Sequence, residues 1–185
     1  MDLRIALKNW AKVRDYLRWH RNEWEAGRQP HPMPQELFEG VAEFTAQASP
    51  ELAIVDGLGR ICLAQRPTTD VYWPGQWHLF GTTGYGSDRS KDDLLARLQK
   101  EVDPDGSILR LEWERMEILG WLWSHSDQRE RGSCMHVVHL YRFSGALVPP
   151  RLPGGGIFFR IDALPEYIIE HHRPMLEMVR RHLAK

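Results

Sequence analysis

Apolar residues near the start of the chain, Leu3, Leu7, Trp10, Val13, Leu17 and Trp24, recur at intervals mostly of three and four. That spacing puts them on one face of a helix running to about residue 25. Gly27 ends it, and Pro30, Pro32 and Pro34 in the following GRQPHPMPQ cannot continue it. A second helix is predicted over residues 36–48. After Ser49-Pro50 the texture changes: ELAIVDGLGRICLAQRP reads as a strand, a tight turn at Asp56-Gly57 and a second β-rich strand.

Further along, Ser90 suits an N-cap and Asp93 stands three residues on, so KDDLLARLQKEV is predicted to be a helix that Pro104 and Gly106 stop. Strands are predicted over residues 117–123 and 135–143, separated by the polar loop SHSDQRERGS. PPRLPGGG is a second loop, IFFRI a short strand, and residues 164–184 a closing helix that Pro174 kinks or divides. The expected organisation is a helical extension over residues 1–48 on an α/β body over residues 49–185, without internal repeats.

Length and charge narrow the classes. A chain of 185 residues is about one domain and can bury a core without metal or disulfide staples. With 24 basic and 25 acidic residues, net charge -1, nothing marks it as a binder of nucleic acid or of a membrane surface. Cys62 and Cys134 form neither a disulfide framework nor a zinc pattern, and a reducing cytoplasm suits them. Charges interrupt every apolar stretch at the N-terminus, against a signal peptide, and no run of about 18 apolar residues occurs. A cytoplasmic protein is expected.

The order strand, turn, strand, glycine-containing loop, helix, strand, strand, helix is that of a Nudix domain, and residues match as well. Leu63-Ala64-Gln65-Arg66-Pro67 resembles the family strand ending in a Gln-Arg pair. Trp73-Pro74-Gly75-Gln76-Trp77-His78-Leu79-Phe80-Gly81 is similar to the PGxWxxPGG run that leads into the Nudix box. Ser90, Leu94, Leu95 and Arg97 fall where the box helix has its cap, its buried pair and its arginine; Phe158 to Pro165 resembles the late strand and its turn. The resemblance spans about residues 51–185 and implies an α/β/α sandwich with a mixed sheet, an α+β fold. The ungapped spacing from Trp73 to Arg97 is similar to isopentenyl diphosphate isomerase, but Thr82 and Gly84 stand where that family has its cysteine and a metal-binding histidine.

Nudix hydrolases cut a phosphoanhydride with Mg²⁺ (or Mn²⁺), which needs oxygen ligands. The box supplies them as REUxEE, U being a bulky apolar residue, and counting from Arg97 the three glutamate places hold Leu98, Glu101 and Val102. A second register, in which Gly86, Asp92, Lys100, Glu101, Val102, Asp105 and Ile108 fit Gx5Ex7REUxEExGU with conservative replacements, keeps Glu101 and Asp105 but puts Pro104 in the acidic turn. Glu101 is acidic in both registers. The resemblance thus makes Glu101 the candidate catalytic group and Glu101, Asp105 and Asp92 the candidate metal ligands. Plainer readings stand beside these: Asp93, Arg97 and Glu101 at i, i+4, i+8 form an exposed ion-pair ladder, and Asp92 and Asp93 favour the helix dipole.

For the ligand, Arg66 would clamp a diphosphate bidentately, Gly81, Thr82 and Gly84 in GTTGYG would bring backbone N–H groups to it, and Trp77 would stack on a base. Arg129 and Arg131 are ordinary solvated loop charges or anion contacts. Trp121 and Trp123 are candidates for the same stacking but, at alternate strand positions, read more simply as a buried sheet face; His125, His136 and His139 show no ligand spacing; His171-His172 read as surface. The extension carries Trp10, Trp19 and Trp24, suggesting burial against the body, over the cleft or in a homodimer. The leading expectation is a Mg²⁺-dependent Nudix-type hydrolase of a nucleoside diphosphate derivative. The alternatives are a Nudix-fold binding or interaction module without catalysis, and a prenyl-diphosphate isomerase-like protein.

Overall fold

The computed structural model describes residues 14–19, 22–23, 26, 47–83, 90–125, 133–144 and 149–185, and the statements below concern those residues. Residues 14–19 are helical, as the apolar spacing predicts, and Trp19 there is 43% exposed. Trp10 and Trp24 lie outside the described residues, as does the expected helix over residues 36–48 up to its last two positions. Those two, Gln47 and Ala48, are already strand: β1 is Gln47–Val55 and continues through Pro50 into the apolar run.

β1 turns into β2 (Arg60–Gln65) over a buried aspartate. The Asp56 carboxylate accepts the backbone N–H groups of Leu58 (2.9 Å) and Arg60 (2.8 Å) and pairs with the Arg60 guanidinium at 2.7 Å. This is the local chemistry that makes Asp-Gly a turn. β3 (Trp77–His78) and β4 (Phe80–Gly81) are short; β5 (Met116–His125), β6 (Ser133–Arg142) and β7 (Ile157–Arg160) complete the sheet. The strand order is β3-β2-β1-β6-β5, with β4 also on β1 and β7 also on β2. β1 and β6 run parallel and the other pairs antiparallel, so the sheet is mixed.

Helices cover both faces. Alternation along β1 sends Leu52 and Ile54 one way and Ala53 and Val55 the other. On the first face Leu52 and Ile54 join Cys62, Phe80 and Tyr141 in a cluster closed by Leu98 and Val102 of α1 (Lys91–Val102). On the second, Ala53 and Val55 join Leu63, Leu79 and Val138 under Met175, Leu176 and Val179 of α2 (Arg173–Leu183). This is the expected α/β/α arrangement of an α+β domain. No helix among the described residues is long and apolar enough to cross a membrane.

Three expectations are corrected. Residues 164–172 are not part of the closing helix. Ile168 bridges in parallel to Trp77, a single 3-10 turn covers Glu170–His172, and α2 starts at Arg173 with Pro174 in its first turn, where the missing N–H costs nothing. Trp121 and Trp123 are not a buried face, being 67% and 48% exposed. The α1-side cluster reaches β5 only at Met116, which leaves those rings uncovered. His172 is buried, not surface.

Ser90 caps α1 as its sequence predicts, accepting Asp92 N–H at 3.1 Å while Asp93 reaches back to the Ser90 N–H. The helix stops at Asp103, which is fully buried. Asp103 accepts the N–H groups of Ile108 (2.7 Å) and Leu109 (2.8 Å), and Gln99 bridges to Asp103 O, Leu109 O and Leu111 N–H. Gly154 seals the same end: its N–H donates to Val102 O at 2.8 Å, and a Cβ there would run into the Glu101 and Val102 carbonyls.

Burial alone would raise the Asp103 carboxyl, but the backbone N–H groups of Leu109 and Ile108 and their neighbours outweigh it and hold it below the ordinary aspartate range. A depressed folded-state value gives stability that is fully present above the ordinary aspartate value and lost as pH falls from there through the lower folded-state value. Asp103→Ala leaves the buried Leu109 N–H and the half-buried Ile108 N–H without this acceptor and is expected to destabilise the fold by roughly 1–3 kcal/mol, read as a lower urea midpoint. The gap between variant and wild type should narrow as the pH is lowered through about 4, the ordinary aspartate value.

Candidate functional site

The parity of β1 that puts Ala53 and Val55 under α2 also turns Ser49 and Glu51 to that face, away from α1. The parallel register sets Ser49 beside His136 and Glu51 beside Val138 of β6. His136 therefore shares the α2 face with Glu51, while His139, three residues on, points to the other face, where it lies edge-on to Trp113 at 5.6 Å. β5 pairs Ser124 with Cys134 and brings both to the same side as His136. From the opposite direction the segment before α2 is pinned by Trp77, whose N–H donates to Tyr167 O (2.7 Å) and whose carbonyl accepts Ile169 N–H (3.0 Å). This delivers His171 and His172 over the same spot. The result is a cavity of about 210 Å³ lined by Ser49, Glu51, Arg66, Trp73, His78, Gly81, Thr82, Ser124, Cys134, His136, His171 and His172, among others.

Glu51 lies at its base, buried, and is held from several directions. Ser49 Oγ stands 2.8 Å from Glu51 Oε1, and His136 Nδ1 3.0 Å from the same oxygen. The carboxylate lies over Gly81 of β4, where a Cβ would overlap it, so only glycine leaves room. On the far side of the imidazole, His136 Nε2 is 2.7 Å from Ser124 Oγ. Burial pushes the Glu51 carboxyl up, opposed by the hydrogen bonds from His136 and Ser49. Burial also disfavours the His136 imidazolium, yet hydrogen bonding to Cys134 and Glu51 and the Glu51 charge prevail and raise it to about 9. At neutral pH His136 therefore keeps its proton, with Nδ1 facing Glu51 Oε1.

The other histidines behave oppositely. Burial lowers His78 to about 4. Its Nδ1 contacts Leu79 O at 2.6 Å, so that nitrogen carries the hydrogen of a neutral ring. His172 is pushed well down, chiefly by burial and further by repulsion from the histidines and Arg66 around it, and its Nδ1 accepts the Leu79 N–H at 3.3 Å. It is a neutral ring protonated at Nε2, so its 4.0 Å approach to Glu51 is not an ion pair. Arg66 supplies fixed positive charge. Nη1 is 3.5 Å from Asp70, the guanidinium lies 6.0 Å from the Trp73 ring, and buried Nε has no protein partner among the described residues.

The residues singled out from sequence separate into two places. Arg66, Gly81 and Thr82 line this cavity. Trp77 does not; its ring packs edge-on against Phe159 at 4.9 Å, and it serves the site by positioning residues 167–169. Gly84 lies outside the described residues. Glu101 is exposed on α1 and absent from the cavity lining, while Asp92 and Asp105 border a separate hollow of about 350 Å³ with Leu95 and Gln99. Leu98 and Val102, at the glutamate places counted from Arg97, are in the core at 1% and 0% exposure. Arg97 donates to Thr83 O at 3.1 Å, tying α1 to the loop that rims the cavity. Among the described residues no three His, Cys, Asp or Glu side chains are arranged to hold a metal ion. The side chains that line the cavity among the described residues, with Glu51 the one carboxylate, do not by themselves fit Mg²⁺, which wants several oxygen ligands in near-octahedral array.

Sequence reasoning missed Glu51, His136, Trp73, Ser124 and His172. A trace was present for two of them: Glu51 and His136 interrupt apolar strand runs at positions whose parity is that of the core. Nothing local marks the others.

No family model matches the chain, and no curated protein does either. Solved structures do. The chain is similar to a MutT Nudix hydrolase from Burkholderia pseudomallei at 25% identity and TM-score 0.54, over 73% of this chain and 98% of that one. It is similar to the MutT protein of Methanosarcina mazei Go1 at 17% and 0.53, over 76% and 96%. The Nudix domain of Shewanella oneidensis NrtR, solved with ADP ribose, matches at 14% and 0.52, over 88% and 97%. The layered mixed sheet, the capped helix after the glycine-containing loop and these likenesses agree that the chain has the Nudix superfamily fold.

Proposed function

We propose that the protein recognises a small molecule bearing a phosphate or diphosphate group in the cavity between β1, β6 and the turn before α2, and does so without the metal-dependent Nudix reaction. The observation that carries this is the pairing of opposites at the two candidate places. The α1 face that would hold Mg²⁺ is core, with Leu98 and Val102 inside it, whereas the α2-side cavity keeps a cation, Arg66, whose buried Nε lacks a partner among the described residues. A buried donor on a charged group is costly to leave unmade, and a phosphate oxygen is its natural acceptor. The proton held by His136 offsets the Glu51 charge beside it, and Arg66, paired with Asp70 at 3.5 Å through Nη1, keeps its Nε for a further acceptor. Thr82 and Thr83 add polar groups at the rim.

A nucleoside diphosphate derivative fits this chemistry, and ADP ribose, present in the NrtR structure, is a suitable probe. The Mg²⁺-dependent hydrolysis of such a compound would need Glu101, Asp92 and Asp105 to converge on it, and they lie outside the cavity.

Calorimetric titration with ADP ribose and with pyrophosphate is expected to show binding of at least one of them, weakened about tenfold or more in Arg66→Gln, the loss of one charge-assisted contact. Absence of binding to either at millimolar concentration would sink the proposal. A second measurement is Mg²⁺- or Mn²⁺-dependent release of phosphate or nucleoside monophosphate, for which no turnover is expected. Turnover that disappears in Glu101→Gln would restore the metal-dependent hydrolase. The third is pH. His136 is raised above its ordinary value, so its positive charge is held at neutral pH and lost as pH rises through about 9. Affinity for ADP ribose, whose diphosphate does not titrate there, should fall across that range.

A further inference from the structure

Ser124, His136 and Glu51 stand in a line along one wall of the cavity. Ser124 Oγ is 2.7 Å from His136 Nε2, and His136 Nδ1 is 3.0 Å from Glu51 Oε1. One ring nitrogen faces a hydroxyl and the other a buried carboxylate, which is the connectivity that activates a serine: the carboxylate orients the ring, and the free nitrogen takes the hydroxyl proton. The three come from three different strands, β5, β6 and β1, and are held by the sheet register rather than by a loop. Ser49 and Gly81 fix the carboxylate from below. Ser124 is among the residues that line the cavity.

We propose that Ser124 is a nucleophile served by His136 and Glu51, and that the site cleaves a carboxylic ester carried by a phosphorylated small molecule. The phosphate part of that substrate class rests on the anion-recognising cavity proposed above; the serine relay does not. Ser124 Oγ attacks the ester carbonyl carbon while its proton passes to His136 Nε2. The C–O bond to the alcohol then breaks, and Nε2 returns the proton to the departing oxygen. A water molecule, giving a proton to the same nitrogen, attacks the acyl carbon; the bond from that carbon to Ser124 Oγ breaks, and Nε2 returns the proton to Oγ, which releases the carboxylic acid and regenerates the hydroxyl. The net reaction is ester plus water to acid plus alcohol, without metal or redox partner. Arg66 in the same cavity offers fixed positive charge to the phosphate.

The base form of the relay is His136 neutral beside ionised Glu51. The groups that face His136 are Glu51 from β1, Ser124 from β5, Cys134 from β6, and His171, stacked at 5.2 Å, from the turn before α2; His172 and Arg66 also line the cavity. Because His136 is held protonated to about 9, the nucleophile gains reactivity with rising pH, by about tenfold per pH unit below that value. This is opposite in sign to the pH dependence of anion affinity.

The test is labelling of the full-length protein with a fluorophosphonate, a reagent that phosphonylates relay-activated serines, followed by peptide mass mapping from pH 7 to 10. The expected result is one adduct on Ser124, formed faster as pH rises to about 9 and absent in Ser124→Ala, with Glu51→Gln slowing it at least tenfold. Wild-type protein with folding intact that stays unlabelled at Ser124 throughout this range, or that is labelled at Cys134 instead, overturns the proposal. ADP ribose added as a competitor separates the two readings. If Ser124 is labelled but not protected, the serine relay stands and the anion-recognising cavity fails.

Discussion

Along nine residues β1 runs parallel to β6, and from Glu51 onward its other edge is taken by β4 and β2, so that half of the strand is bonded on both sides and covered on both faces. A strand so enclosed has no solvent face on which to place a charge, and it reads as a nearly continuous apolar run. Glu51 is the exception. Its burial makes sense only because the same register that encloses β1 brings Ser49 and His136 within hydrogen-bonding distance and because β4 offers glycine at position 81. A half-satisfied buried carboxylate would cost more than an apolar replacement, so this network is expensive to keep and is held together as a unit.

Protonation states in the cavity follow from the same enclosure. His78, His136 and His172 lie within one small space, and burial disfavours a charge on each. Only the ring touching Glu51 overcomes that penalty; the other two use backbone groups of Leu79 and stay neutral. Among the described residues the cavity therefore combines the Arg66 cation, the proton that His136 keeps beside Glu51, and the neutral rings of His78 and His172. That is a site suited to holding an anion and moving a proton, and poorly suited to a hard divalent cation.

The opposite face makes the contrast. α1 keeps the features of its position in the fold: the Ser90 cap, the reciprocal Asp93 bond, and an arginine that ties it to the cavity rim through Thr83. What differs is the stripe at Leu98 and Val102, which packs against Leu52, Ile54 and Phe80 instead of presenting carboxylates. Apolar residues four apart on a helix against a sheet add to the core.

How much of this was legible follows from the range of the interactions. Period and punctuation in the sequence determined the elements of the body and, with the Trp73 to Arg97 run, the fold itself. Caps, tight turns and alternation act over a few residues, so Ser90, Asp56 and Pro104 announce what they do. Leu98 and Val102 could be seen in the sequence as departures from an acidic helix, and Arg66 as a strand-end cation. Which carboxylate matters could not. Glu101 drew attention through its place in a motif, while Glu51, 50 residues earlier, becomes a site residue only when a parallel pairing carries it to a histidine 85 residues away. His172 needed Trp77 to pin its segment, and Ser124 needed β5 to lie beside β6. Parity along a strand is local, but the face it selects and the neighbours it meets are decided by the sheet, which is why the fold was written in short-range pattern and the site was decided by tertiary structure.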